Sequence, residues 1–234
     1  MLQSTPFSIP KNVLDSAIAA LPAMLNTIHA DDSKAALNYP TGKFFYDPWK
    51  IKPEYEGTVW ETILNSLDQP IGEARLIKLA QGEAYPSHSD LDDRWHLSLV
   101  GNNSFLINLE TKEMHETLVD GKWQIMNAGI KHTAANFGST DRIQLVVRKL
   151  VATADINDPV KIRITLTNQT KDRRFIFDNI ISPWLNYSFK TGVIKDFVGK
   201  DLSAELTIER NALDRLKYIL ASENKFKVEE VNEK

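Results

Sequence analysis

The sequence predicts a mainly β protein whose strands close into a sandwich, barrel or jelly roll, and three observations predict it. From Glu73 onward the apolar residues take the period-two spacing of strands. Seven short β-rich segments then follow one another to Leu150 with turn chemistry and no helix between them. The composition, 42% hydrophobic and 25% charged over 234 residues, is that of an ordinary globular chain able to bury a core without staples.

Before the strands, Asn12 to Leu25 places Val13, Ala17, Leu21 and Leu25 on one face at helical spacing, with Asn12 as the N-cap and Pro22 as a point of bending. Asp31 to Trp49 mixes Asn38, Pro40, Gly42 and Pro48 with aromatics and reads as an ordered loop. A second helix covers Tyr55 to Leu67, with Val59, Ile63 and Leu67 inward. The strands are Ala74 to Ala80, Trp95 to Val100, Ser104 to Leu109, Met114 to Leu118, Lys122 to Met126, His132 to Ala135 and Ile143 to Leu150. Asp120-Gly121 reads as a hairpin turn of type I′. The pattern loosens after Val151, which divides the chain into a first domain, 1–151, and a small α+β appendage, 152–234. The appendage reads as strand 160–167, helix 175–181, strand 185–189, strand 204–208, helix 211–221 and strand 225–231, a βαββαβ order that fits a ferredoxin-like fold.

A net charge of -3 supplies no general field for nucleic acid or an anionic membrane, so neither is expected as a partner. The two basic clusters, Arg142 to Lys149 and Lys171 to Arg174, read as solvated faces. No apolar run is long enough to cross a bilayer and the first residues lack a secretory pattern, so the expected location is cytoplasmic. With no cysteine, any metal must be held by His, Asp or Glu, a donor set that favours iron, manganese or zinc.

Two of the five histidines stand at predicted strand edges. In Pro86-Ser87-His88-Ser89-Asp90, the His and the Asp point the same way from extended chain, because side chains alternate along a strand. A distant third ligand, His132, completes a set of two imidazoles and one carboxylate that leaves metal positions open. Arg142 heads the apolar run Ile143-Gln144-Leu145-Val146-Val147, and a guanidinium entering a core requires an anion, either a ligand carboxylate or a structural acid such as Asp141 or Glu73. Asn136 reads as a stabiliser of the turn after His132, Trp95 and Trp123 as core or wall, and His29 and His115 as loop or surface.

From about Ala74 to Arg148 the sequence resembles the aspartyl/asparaginyl β-hydroxylases, a family of 2-oxoglutarate oxygenases with a branch of free-proline hydroxylases. The resemblance is carried by Arg75-Leu76-Ile77-Lys78-Leu79 with Gly82, His88-Ser89-Asp90, Arg94-Trp95-His96-Leu97, Gly121-Lys122-Trp123, His132-Thr133-Ala134-Ala135-Asn136 and Arg142-Ile143-Gln144-Leu145-Val146, in order and at matching spacing. It implies a double-stranded β-helix of cupin-like form with Fe(II) held by His88, Asp90 and His132. It further implies that Arg142 pairs with the distal carboxylate of 2-oxoglutarate, and that Arg94 and His96 hold the end nearest the metal. The implied reaction consumes O2 and 2-oxoglutarate, releases succinate and CO2, and hydroxylates an Asp, Asn or Pro, free or in a peptide, with ascorbate as a reductant. The loop from Asp90 to Arg94 is shorter than in the animal peptide hydroxylases. Phe44, Phe45, Tyr46 and Trp49 are candidates for a lid or for ordinary core. Two competing readings are a non-catalytic β-helix module that binds a small carboxylate and a non-oxidative cupin metalloenzyme.

Overall fold

The computed structural model describes residues 1–25, 34–41, 49–90, 93–149, 158–167, 194–200, 202–221 and 226–231. The chain divides into two compact units, one of residues 1–39 with 48–150 and the other of 40–47 with 151–234.

The first unit is mainly β and antiparallel. Strand β1 (Leu2–Ser8) precedes helix α1 (Lys11–Leu25), short strands β2 (Lys34–Ala36), β3 (Asn38–Pro40) and β4 (Trp49–Ile51), and helix α2 (Val59–Asn65). Seven strands follow: β5 (Ile71–Leu79), β6 (Arg94–Val100), β7 (Ser104–Asn108), β8 (Met114–Glu116), β9 (Lys122–Met126), β10 (His132–Asn136) and β11 (Arg142–Lys149). A six-stranded sheet runs β1-β9-β6-β11-β5-β2, and a three-stranded sheet runs β10-β7-β8.

The large sheet is covered on one face by the helices. Leu14, Ala17, Leu21 and Met24 of α1 and Trp60, Ile63 and Leu64 of α2 join one core with alternate strand residues: Ala74 and Leu76, then Trp95, Leu97 and Leu99, then Ile143, Leu145 and Val147. The intervening residues of the same strands, Arg75 and Ile77, Arg94 and His96, Arg142 and Gln144, line a cavity on the other face. Both faces of β6 and β11 are therefore buried. Burial of Arg142 and Arg148 at 2% exposure corrects the reading of residues 142–149 as a solvated basic face.

Four further expectations change. Helix α1 starts at Lys11, so Asn12 lies inside it rather than capping it, and it continues through exposed Pro22 to Leu25. Within the expected loop 31–49, residues 34–36 and 38–40 are strands. Asn38 there donates from Nδ2 to the Gly72 carbonyl and accepts at Oδ1 from the Ala74 amide. Strand β1 was not expected, because its polar residues and Pro6 mask a strand signal; it is an edge strand whose register shifts between Ser4 and Ser8, where a missing N–H is tolerated. Asp120-Gly121 does not close a hairpin, since β8 and β9 lie in different sheets. Gly121 alone has positive φ (75°), and its carbonyl accepts from the Ile9 amide at 2.8 Å. A Cβ there would sit 2.8 Å from the Ile9 carbonyl oxygen.

The second unit has strands β12 (Pro159–Leu166), β13 (Ile194–Lys200), β14 (Ser203–Glu209) and β15 (Phe226–Glu230) in the order β13-β14-β12-β15, all antiparallel, with helix α3 (Arg210–Ala221). Val160, Ile162, Ile164 and Leu166 alternate with exposed Lys161 and Arg163, so one face of β12 is core and the other is solvated and salt-bridged, as by Arg163 with Glu205. The expected helix 175–181 and strand 185–189 lie outside the described residues. Among the described residues no helix is long and apolar enough to cross a membrane.

Candidate active site

The backbone of residues 82–90 builds the site. Gly82, at φ 77°, turns the chain out of β5. The segment then runs antiparallel to β10, with amide-to-carbonyl bonds from Gly82 to Asn136, from Tyr85 to Ala134 and from Asp90 to Ala128. His88 and His132 exchange both backbone bonds, at 3.0 and 2.9 Å, as a directly opposed pair. Opposed residues share a face, so their imidazoles meet with ring centres 4.5 Å apart.

Each ring is oriented by its own chain. His88 Nδ1 lies 2.9 Å from the Pro86 carbonyl oxygen and His132 Nδ1 lies 2.7 Å from that of Ile130. A carbonyl can only accept, so each Nδ1 carries a proton, and a ring in its neutral form then keeps its lone pair at Nε2. Asp90 Oδ2 lies 3.7 Å from His88 Nε2 and 3.9 Å from His132 Nε2, and the three donors fall within 4.8 Å of one another. The three residues could hold a metal ion. Two imidazoles and a carboxylate, each pinned by a neighbour, form a donor set suited to non-heme iron.

Burial opposes ionisation of Asp90, but Arg94, whose Nη2 is 3.1 Å from Oδ1, together with His88, His132 and Arg75 outweighs it and holds the carboxyl at about 2. Burial also keeps the His132 pKa below its ordinary value, against the pull of the Ile130 carbonyl and Asp90. Both groups are thus in the ligating form at neutral pH.

The cavity beside this cluster has a volume of about 120 Å³ and is lined from both sheets: by Arg75, Arg94 and Arg142 of the large sheet, and by Leu106, His132 and Ala134 of the small one. Arg142 is 2% exposed, and burial pulls its pKa down to about 10, which leaves it cationic at neutral pH. Neither structural acid considered for it is its partner. Asp141 pairs with Lys78 at 3.6 Å and Glu73 with Arg75 at 3.0 Å. Among the described residues no carboxylate is in ion-pair range of Arg142, and its buried Nε makes no hydrogen bond.

Residues 54–150 match the family model described as aspartyl/asparaginyl beta-hydroxylase. Over that segment, less than half of the chain, the sequence is similar to the aspartyl/asparaginyl β-hydroxylases. An oxidoreductase of the 2OG-Fe(II) oxygenase family from Burkholderia pseudomallei, a solved structure, aligns over 56% of this chain and 76% of its own. Its identity is 11% and its TM-score 0.40. No match was found among curated proteins.

The six residues expected from the sequence to hold metal and cosubstrate all lie in this matched segment, and the structure gathers them at one cavity: His88, Asp90, His132, Arg94, His96 and Arg142. Trp95 and Trp123 are core, with the Trp123 indole donating to Ser66 Oγ at 2.9 Å. Asn136 does bind the turn, accepting from the Gly138 amide at 3.1 Å. His115 lies on β8, 4.0 Å from Glu113; His29 and Phe44, Phe45 and Tyr46 lie outside the described residues. The sequence reading missed Tyr85 and Gln144, both of which line the cavity. For Gln144 a signal existed: a polar residue two positions after Arg142 in an apolar strand shares its face.

Proposed function

We propose that the chain is an Fe(II)- and 2-oxoglutarate-dependent dioxygenase of the cytoplasm that hydroxylates an amino-acid side chain, Asp, Asn or Pro, free or in a peptide, on a double-stranded β-helix. The observation that carries the reading is the convergence of His88, Asp90 and His132 on a cavity that also holds a buried arginine with no carboxylate in ion-pair range among the described residues. The ferredoxin-like assignment of the appendage is supported by the order β13-β14-β12-β15, the order in which a βαββαβ chain lays down its sheet.

The two Nε2 atoms and the Asp90 carboxylate would hold the iron. Iron and 2-oxoglutarate supply the oxidising chemistry, with release of succinate and CO2. The protein's part is placement. Arg94 fixes the Asp90 carboxylate through its 3.1 Å contact. Arg142 offers a planar fork to the far carboxylate of the dicarboxylate, in the two-bond geometry that lysine cannot copy. Leu106, Met126, Ala134 and Val146 keep the cavity wall apolar, which strengthens each charged contact by excluding water.

The test incubates protein with Fe(II), ascorbate and 2-oxoglutarate, admits oxygen and follows succinate in wild type and His88→Ala. Succinate formed only with His88 intact supports the reading. Equal succinate from the variant refutes it. Binding of 2-oxoglutarate without any succinate moves the assignment to a non-catalytic carboxylate-binding module.

A further inference from the structure

Gln144 is a fully buried amide at the centre of the cavity wall, and every one of its polar contacts is to a neighbour on β11 or β6. Its Oε1 accepts from Arg142 Nη2 and lies 3.0 Å from His96 Nδ1, while its Nε2 donates to Ser98 Oγ at 2.9 Å. Strand register explains the cluster. Gln144 pairs with Ser98 across the ladder and Val146 pairs with His96, so Arg142, Gln144, Ser98 and His96 share one face.

The donor and acceptor inventory of this cluster has one solution. Arg142 can only donate, so the atom it meets must be the amide oxygen; the flipped amide would set two donors against each other. That oxygen can only accept from His96, so His96 Nδ1 must carry a proton. The ring is 6% exposed and lies close to the cationic Arg142 and Arg94. A second proton at Nε2 would add a charge among like charges. Burial accordingly draws its pKa to about 3, against the raising effect of Gln144. His96 Nε2 is then a bare lone pair, and among the described residues nothing donates to it.

We infer that Gln144 is a positioning residue that reads the charge of Arg142 and sets the tautomer of His96, so that His96 offers the cavity a hydrogen-bond acceptor. Under the oxygenase reading, on which this consequence rests, a bare carboxylate oxygen is met by Arg142 and Arg94 but not by His96. The group that His96 takes carries an N–H or O–H of its own, as does a water, a hydroxyl or an amine. That is a different role for His96 from the direct carboxylate contact implied by the family resemblance.

The tautomer is read without iron or 2-oxoglutarate. Full-length protein labelled with 15N-histidine and freed of metal is examined by long-range 1H–15N correlation at neutral pH, with the His96 signals assigned by their loss in His96→Gln. The expected result is a neutral ring protonated at Nδ1 in wild type and retained in Gln144→Glu, which keeps an acceptor there. In Gln144→Leu the Nδ1–H form falls below half of the population. A wild-type ring protonated at Nε2, or doubly protonated, overturns the inference on its own, even where the leucine variant fails to fold. An unchanged tautomer in folded Gln144→Leu also overturns it. Failure of the succinate assay with the Nδ1–H tautomer intact would instead count against the oxygenase reading alone.

Discussion

Arg142 shows how a single residue type can imply a ligand. A guanidinium at 2% exposure is held in a low-dielectric wall without a protein carboxylate among the described residues, which is costly unless an anion arrives. Much of the affinity for a dicarboxylate should therefore reside at this one side chain. Arg142→Ala is expected to raise the Kd for 2-oxoglutarate by at least about 30-fold, corresponding to roughly 2 kcal/mol or more for a truncated buried charge pair. Arg142→Lys should recover only a small part of the loss, because an ammonium cannot supply the planar fork. Isothermal titration of the metal-loaded protein measures both, and an unchanged Kd in the alanine variant removes the carboxylate role. At this scale the sequence was legible where chemistry depends on spacing of two, as at His88 and Asp90. It was illegible where it depends on a cross-strand neighbour: nothing in the order of residues says that Gln144 touches His96, 48 positions away.

At the scale of elements, the site depends on the segment 82–90 being held along β10, and Asn136 is what anchors the end of that pairing. Its Nδ2 donates to the carbonyls of Leu79, Ala80 and Thr140 at 3.1, 3.2 and 2.8 Å, so one side chain ties the exit of β5 to the start of β11. Asn136→Ala leaves these carbonyls and the Gly138 amide without their partner in a buried setting, at a cost of about 2–4 kcal/mol. Asn136→Asp should not rescue, since a carboxylate cannot donate to three carbonyls. Urea denaturation followed by tryptophan fluorescence gives the difference, and a loss below about 0.5 kcal/mol in the alanine variant contradicts the anchoring role. The seven strands from β5 to β11 were readable because both period and turn chemistry favour them. The strands that were missed, β1, β2, β3, β4 and β13, are short, polar, or interrupted by Pro or Gly, and owe their form to the partner they pair with. The Asp120-Gly121 turn was misread for the same reason. A dipeptide specifies a bend, but whether the bend closes a hairpin or carries the chain to another sheet is decided by the strands on either side.

For the whole molecule, the same residues that prepare the site set a limit on acid stability. His96 is buried and neutral, with a pKa of about 3 in the folded protein against 6.5 for the free imidazole of an unfolded chain. Between these two values the unfolded state binds the extra proton and the folded state does not. Stability therefore rises with pH across that window and is lost as pH falls from 6.5 toward 3. The shift corresponds to a cost on the order of 5 kcal/mol when fully developed, a large share of the stability of a domain of this size. Asp90 acts in the same direction lower down. Its carboxyl is held at about 2, so the stabilisation from its cationic neighbours is present above 3.8 and lost as pH falls below that. Replacing His96 with glutamine removes the titrating ring while keeping a polar side chain in the cavity wall. The variant is expected to be less stable than wild type at pH 7, through lost packing and the lost bond to Gln144, yet to lose about 3 kcal/mol less between pH 6.5 and 3.5. Denaturant midpoints measured at half-unit steps of pH separate the two effects, because packing shifts the whole curve and the proton changes its slope. Parallel curves for wild type and His96→Gln would mean that the ring titrates normally in the folded protein.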